Sequence, residues 1–288
     1  MTWLTWRVER ATMISAAVVV AVFAVAAFAL NVHDPAGMKT ATELFVLGPP
    51  AFATVVAVFW GAPMVAREYE QRTYLLVWSW ERPATRWLTA RVGQLLAPLV
   101  VLTIAVNVIG NLLQDRMLSA LPPGHAAASP AYDLWLPLQL FTVIAGFGIG
   151  VLVGVLVRNS VLAMGITLVG YVALRFALGV FARPHLLPAD RVVDSPQPAA
   201  SMFVAGGYLD RAGHQLSTLD VQEKCLGGNS QAAYTKCLAD NGAAHEFVDY
   251  QPAGRIPELR LVELGVYAVL AVLVLAAAWL VLRRRVVS

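Results

Sequence analysis

Hydrophobic positions in this chain gather into long uninterrupted runs separated by polar segments of unequal length. Six runs, 11–32, 44–66, 92–113, 134–157, 160–181 and 261–282, approach the roughly 20 residues that carry a helix across about 30 Å of hydrocarbon. The polar interruptions predict the connections. Asp34, Pro35 and Gly37 mark a turn after the first run, and only Arg158 and Asn159 separate the fourth from the fifth, which predicts a tight helical hairpin. The segment 61–91 is long, arginine-rich and interleaved with aromatics, whereas 182–260 is rich in Pro, Asp and Gly and long enough for a small subdomain.

Composition fixes the solvent. The 288 residues are 58% hydrophobic and 14% charged, against about 45–50% and about 25% in soluble domains. The first run is too long and uniform for a cleaved leader and reads as a retained span. Lysine and arginine then set the orientation. Arg7, Arg10, Arg67, Arg72, Arg82, Arg86, Arg91, Arg158, Arg283, Arg284 and Arg285 fall on one side, and only Lys39 and Arg116 on the short loops of the other. The expectation is an all-α integral membrane protein with six transmembrane helices, both termini cytoplasmic, and a large extracytoplasmic loop between the fifth and sixth. It forms a single transmembrane domain over 1–288, with a cytoplasmic loop at 67–91 and a loop subdomain at 182–260. The net charge of +3 hides the asymmetry, which anionic lipid explains; no clustered stripe predicts a nucleic-acid partner.

Several local patterns carry further expectations. Trp3, Trp6, Arg7 and Arg10 suit either an amphipathic turn in the headgroups or an ordinary anchor. Pro63 bends or loosens the end of the second span. A short helix over 73–80, capped by Thr73, places Tyr74, Val77 and Trp78 on one face, to lie on lipid or in a partner's groove. Gly146, Gly150 and Gly154 recur every fourth residue, the spacing that lets helix backbones approach, within the subunit or across a dimer.

Arg175 lies deep in the fifth span. Glu263 enters the sixth from the same side, so the two either pair near the outer mouth or snorkel separately. Cys225 and Cys237 are the only cysteines, both in the 182–260 loop, where an oxidising compartment favours a disulfide over two free thiols. His33, His125, His185, His214 and His245 show no metal-ligand spacing, so no metal is expected.

No G-x-x-x-x-G-K-[ST], H-E-x-x-H or G-x-S-x-G occurs, which leaves the chain without a phosphate-cradling loop and speaks against metalloprotease and serine-hydrolase chemistry. No catalytic residue is assigned, and an enzymatic role is not expected. The pair Glu68 and Glu70 lies on a polar loop rather than in a membrane plane.

The run Gly61-Ala62-Pro63, Ala66-Arg67-Glu68-Tyr69-Glu70, Thr73 and Arg86-Trp87 resembles the loop after the second span of type 2 ABC transporter permeases, in their six-span actinobacterial-type branch. The opening W-x-x-W-R-x-x-R, R-x-x-V-x-A-M from Arg158 to Met164, and Y-Q-P-A-x-R from Tyr250 to Arg255 fit the same pattern. Arg72 stands where that branch usually has glycine, and Leu162 where it often has proline.

The resemblance implies a half-transporter in a bacterial cell membrane: the membrane subunit of an ATP-driven exporter, paired with an identical or related permease and with cytoplasmic P-loop ATPases that carry ATP and Mg. It implies a coupling helix that docks the ATPase through Arg67, Glu68, Glu70, Thr73, Tyr74, Trp78, Arg86 and Trp87. No cofactor is expected on this chain, and the cargo is left unidentified: spans lined by alanine, valine and leucine are compatible with a hydrophobic or amphipathic substrate and equally with lipid exposure. The alternative is a non-transporting interaction protein, an immunity or sensor subunit that holds an ATPase.

Overall fold

The computed structural model describes residues 2–71, 84–120, 132–198, 201–225 and 231–287. The short helix expected over 73–80, with Thr73, Tyr74 and Trp78, lies outside them. The chain is mostly helical and divides into two compact units, one of Met1–Leu178 with Arg260–Ser288 and the other of Gly179–Leu259.

The first unit is built from long helices. α1 is Thr2–Ala29, α2 is Pro35–Val55, and α2 runs without a break through a π-helical turn, Val56–Gly61, into α3, Ala62–Glu70. α4 is Ala84–Ala120, α5 Leu136–Val157, α6 Ser160–Phe176, and the C-terminal helix, Ile256–Val287, is numbered α9. Among the described residues, five stretches are long and apolar enough to cross a membrane: Ala36–Glu70, Ala84–Met117, Leu136–Val157, Ser160–His185 and Ala253–Arg284. In α1 the apolar stretch among the described residues is shorter, Ala17–Ala29. The widened π turn sits one turn before Pro63, which cannot return an N–H to the preceding turn, so the ladder expands there instead of breaking.

α5 is the core helix. Val143, Phe147, Val151 and Val155 are fully buried, packed with Trp60, Val56 and Leu99. Glycine makes this possible. A Cβ on Gly150 would meet the Ala57 carbonyl at 2.2 Å, one on Gly154 the Ala62 carbonyl at 2.3 Å, and one on Gly61 the Phe147 carbonyl at 2.5 Å. Gly146 instead faces the Tyr171 ring. The glycine row therefore packs inside this chain, against the π turn and α3. By contrast α6 and α9 expose Val161, Val169, Val272 and Leu273, which in hydrocarbon need no covering.

The α1–α2 turn is fixed from outside itself. Arg116 of α4 donates from Nη1 to the Ala27 carbonyl at 2.9 Å and from Nη2 to the Leu30 carbonyl at 3.2 Å, with its guanidinium 5.7 Å from the Phe28 ring centroid. A cation thus satisfies the orphan carbonyls of α1, as a helix C-terminus favours. Pro35 starts α2 where its missing N–H costs nothing.

The second unit adds a sheet that the all-α expectation did not include. β1 (Asp190–Val193), β2 (Met202–Leu209) and β3 (His245–Gln251) form an antiparallel sheet in the order β1-β3-β2. Between β2 and β3 lie α7 (Thr218–Cys225) and α8 (Gln231–Asp240). The Cys225 and Cys237 sulfurs, one on each of these helices, lie 2.01 Å apart. Arg191 and Asp249 are partners in register, joined at 2.7 and 2.9 Å, and the Arg191 guanidinium covers the Phe247 ring at 4.0 Å. Buried Gln251 donates to the Pro184 and Leu187 carbonyls, while Arg255 donates to the Pro188 carbonyl at 2.6 Å. The Y-Q-P-A-x-R motif thus ties the chain before β1 to the chain after β3.

Candidate functional site

Two polar clusters in the helical unit stand out. The first lies where α3 ends. α5 stops at Arg158, whose φ of 60° and ψ of 9° put an arginine in the left-handed region. The Asn159 side chain then caps α6 by accepting from the Leu162 amide at 2.8 Å. Two residues of α3 hold this hairpin. Glu70 accepts from the Ser160 amide at 2.9 Å and from the Ser160 hydroxyl at 2.6 Å, and Tyr69 places its ring 5.0 Å from the Arg158 guanidinium. A carboxylate on the first amide of α6 also meets the positive end of that helix.

The eight residues expected to dock a partner are thus not equivalent. Thr73, Tyr74 and Trp78 lie outside the described residues. Glu70 is engaged by Ser160. Trp87 is half-buried against the core, Glu68 is half-buried, and Arg67 and Arg86 are exposed. As a polar handle on either side of 72–83, the structure offers Arg67 and Arg86. Neither Ser160 nor Tyr69 was singled out from sequence, although Tyr69 stands inside the A-R-E-Y-E run.

The second cluster surrounds Arg175. Its Nη1 donates to the Tyr267 hydroxyl at 2.8 Å and lies 4.0 Å from a Glu263 oxygen, while Nη2 is 3.5 Å from Asp133. Glu263 is buried, with 3% of its side chain exposed. Tyr267 follows Glu263 by one helical turn on α9, so both reach the same cation. The structure brings Arg175 and Glu263 together, but within a group of four. Tyr267 could have been found from the four-residue spacing; Asp133, in the turn before α5, gives no such signal.

One helical turn before Arg175, Tyr171 is fully buried and donates to the Thr142 carbonyl at 3.1 Å. Asn107 of α4 donates to the Gln139 side chain at 2.7 Å and to the Leu134 carbonyl at 2.6 Å. Pro49, Pro50, Asp133, Gln139 and Arg175 border a cavity of about 10 Å³, about one water in size. Such buried polar contacts tie α4, α5, α6 and α9 by specific geometry where lipid removes the hydrophobic drive. Neither cluster holds a nucleophile and base in a catalytic arrangement, and no group of three or more metal-ligating side chains occurs among the described residues.

A family model described as ABC-2 membrane transporter related matches residues 33–183, just over half of the chain. That interval contains α2 through α6, hence the Glu70 clasp, the glycine row and Arg175. No curated protein and no solved structure matches significantly.

Proposed function

The chain belongs to the ABC-2 membrane transporter related family, a type 2 ABC transporter permease by kinship, and we propose that it is the membrane subunit of an ATP-driven exporter. Hydrolysis takes place on a separate cytoplasmic P-loop ATPase that carries ATP and Mg. The 67–91 segment is the docking element, the termini and this segment share the cytoplasmic side, α1 supplies the sixth span, and a second permease subunit completes the pore.

The observation that carries this reading is the clasp of Glu70 and Tyr69 on the α5–α6 hairpin. A docking loop transmits force only if it is attached firmly to the helices that move. Here Glu70, within that segment, is bonded to the start of α6, and rather more than two turns further in the same continuous helix packs backbone to backbone on α5 at Gly61 and Gly154. Helix length agrees. The 35 residues of Ala36–Glu70 extend about 50 Å at helical rise, well beyond a hydrocarbon core of about 30 Å, so one end stands clear of the bilayer. Arg67 and Arg86 then meet an acidic surface of the ATPase, and alternating access moves a hydrophobic or amphipathic cargo outward.

The test is ATP hydrolysis by the purified complex in lipid. Arg67→Glu and Arg86→Glu together release the ATPase, and Trp78→Ala weakens its binding. Glu70→Gln leaves the ATPase bound but uncouples hydrolysis from transport. A permease that retains no ATPase in lipid or detergent overturns the proposal.

A further inference from the structure

An apolar slot runs along the helical unit between α1 and α2, away from both polar clusters. Its lining comes from Val19, Phe23 and Ala26 on one wall and Leu44, Gly48 and Phe52 on the other, closed at the back by Val106 of α4. Every lining residue is apolar. The floor is buried, with Phe23, Phe52 and Val106 at 9%, 3% and 2% exposure, while Val22 at the mouth is 62% exposed. Gly48 creates the shape, because a Cβ there would meet the Phe23 ring at 2.4 Å. The helices touch at that point, and Ala26 and Ala51 are too small to close what remains beside it.

We infer that this slot seats one hydrocarbon chain of a bilayer phospholipid. Three observations converge on that occupant. The walls belong to the apolar stretches Ala17–Ala29 and Ala36–Glu70, so what lies at the mouth is hydrocarbon and not water. The lining positions recur at helical spacing from 19 to 26 and from 44 to 55, so the slot is elongated by roughly 10 to 16 Å along the helices, the direction in which acyl chains run. Its volume, about 230 Å³, falls below the roughly 300–1,000 Å³ of sites for compact drug-sized ligands. Left empty, the lining would lose its dispersion contacts, which a methylene chain restores. With no polar group in the lining, the slot selects by chain and ignores the headgroup.

The experiment uses the full chain in phosphatidylcholine nanodiscs doped with a phosphatidylcholine bearing a diazirine on one acyl chain, followed by peptide mapping of adducts. The expected result is several-fold more labelling on 19–26 and 48–55 than on the lipid-facing surface of α6 at Val161 and Val169. Ala51→Phe and Val22→Trp, which fill the slot from opposite walls, remove the excess and leave α6 labelling unchanged. Replacing phosphocholine by phosphoglycerol headgroups changes nothing. Equal labelling of slot and α6, labelling that follows the headgroup, or excess that survives both filled variants overturns the inference. The wild-type map decides even if a filled variant fails to fold. No ATPase is needed, so this outcome is independent of the proposed export function.

Discussion

Glu70 and Ser160 stand 90 residues apart in sequence and are joined twice, through the serine amide and through its hydroxyl. The two bonds differ in what they require. The hydroxyl contact needs a serine, while the amide contact needs only a carboxylate or amide oxygen at position 70. Ser160→Ala therefore keeps half of the clasp, and Glu70→Ala loses all of it. Thermal melting in detergent should rank wild type above Ser160→Ala above Glu70→Ala. Equal melting of all three would mean that the clasp bears no load.

Packing at the glycine row makes a sharper prediction. A methyl on Gly150 is placed 2.2 Å from the backbone carbonyl of Ala57, which has no rotamer with which to yield. Gly150→Ala should destabilise by about 1–3 kcal/mol, the usual cost of overpacking. Gly165 on α6 has nothing within 4 Å of the corresponding position. Gly165→Ala should instead be stabilising by roughly 0.5–1 kcal/mol through helix propensity. Unfolding in graded denaturant compares the two directly.

At Arg175 the distances rank the partners. Tyr267 is hydrogen-bonded at 2.8 Å, Asp133 is at 3.5 Å and Glu263 at 4.0 Å. Arg175→Gln, which leaves both carboxylates without this cation, should cost about 3–5 kcal/mol. Tyr267→Phe should cost about 1.5–3 kcal/mol for a bond to a charged group. Double-mutant cycles should give a larger coupling for Arg175 with Tyr267 than for Arg175 with Glu263. The reverse order would show that charge outweighs hydrogen bonding in this cluster.

The second unit should respond to acid. The bond from His245 and the Glu246 amide hold the Asp194 carboxyl below the ordinary aspartate range, and the His214 and Ala212 amides do the same for Asp210. A depressed carboxylate contributes stability that is fully present above its unfolded pKa of about 3.9 and is lost as pH falls through the lower folded value. Reduction of Cys225–Cys237 by a phosphine, which acts in acid, should accelerate below about pH 4. Asp194→Asn together with Asp210→Asn should flatten that rise. A rate indifferent to both pH and substitution would disconnect these turns from the stability of the sheet.

What the sequence disclosed follows from how far apart the interacting residues lie. The apolar runs announce the long helices because burial in lipid demands an unbroken stretch, and the two-residue gap at Arg158 and Asn159 leaves no room for anything but a hairpin. Glycines 146, 150 and 154 are legible as a contact surface; that the surface meets the π turn of the same chain is not, since a spacing names no partner. The role of Glu70 was hidden for a related reason. Among the charges of a polar loop it looks like surface, and Ser160 opens an apolar helix elsewhere. The sheet was obscured because Gly206 and Gly207 break the side-chain pattern of β2, though not the strand, and β1 is only four residues long. Tyr267 was within reach by its one-turn offset from Glu263, whereas Asp133 becomes a partner of Arg175 only through the path of the chain into α5.

The Arg116 contacts bear on how the chain can be handled in the laboratory. Its three carbonyl partners, Ala27 and Phe28 at the end of α1 and Leu30 just beyond it, would all be lost from a shortened protein that begins after residue 30. The first helix is consequently an integral part of the bundle and not a removable leash. Tags belong ahead of it, and trimming from that end should yield a protein that fails to accumulate.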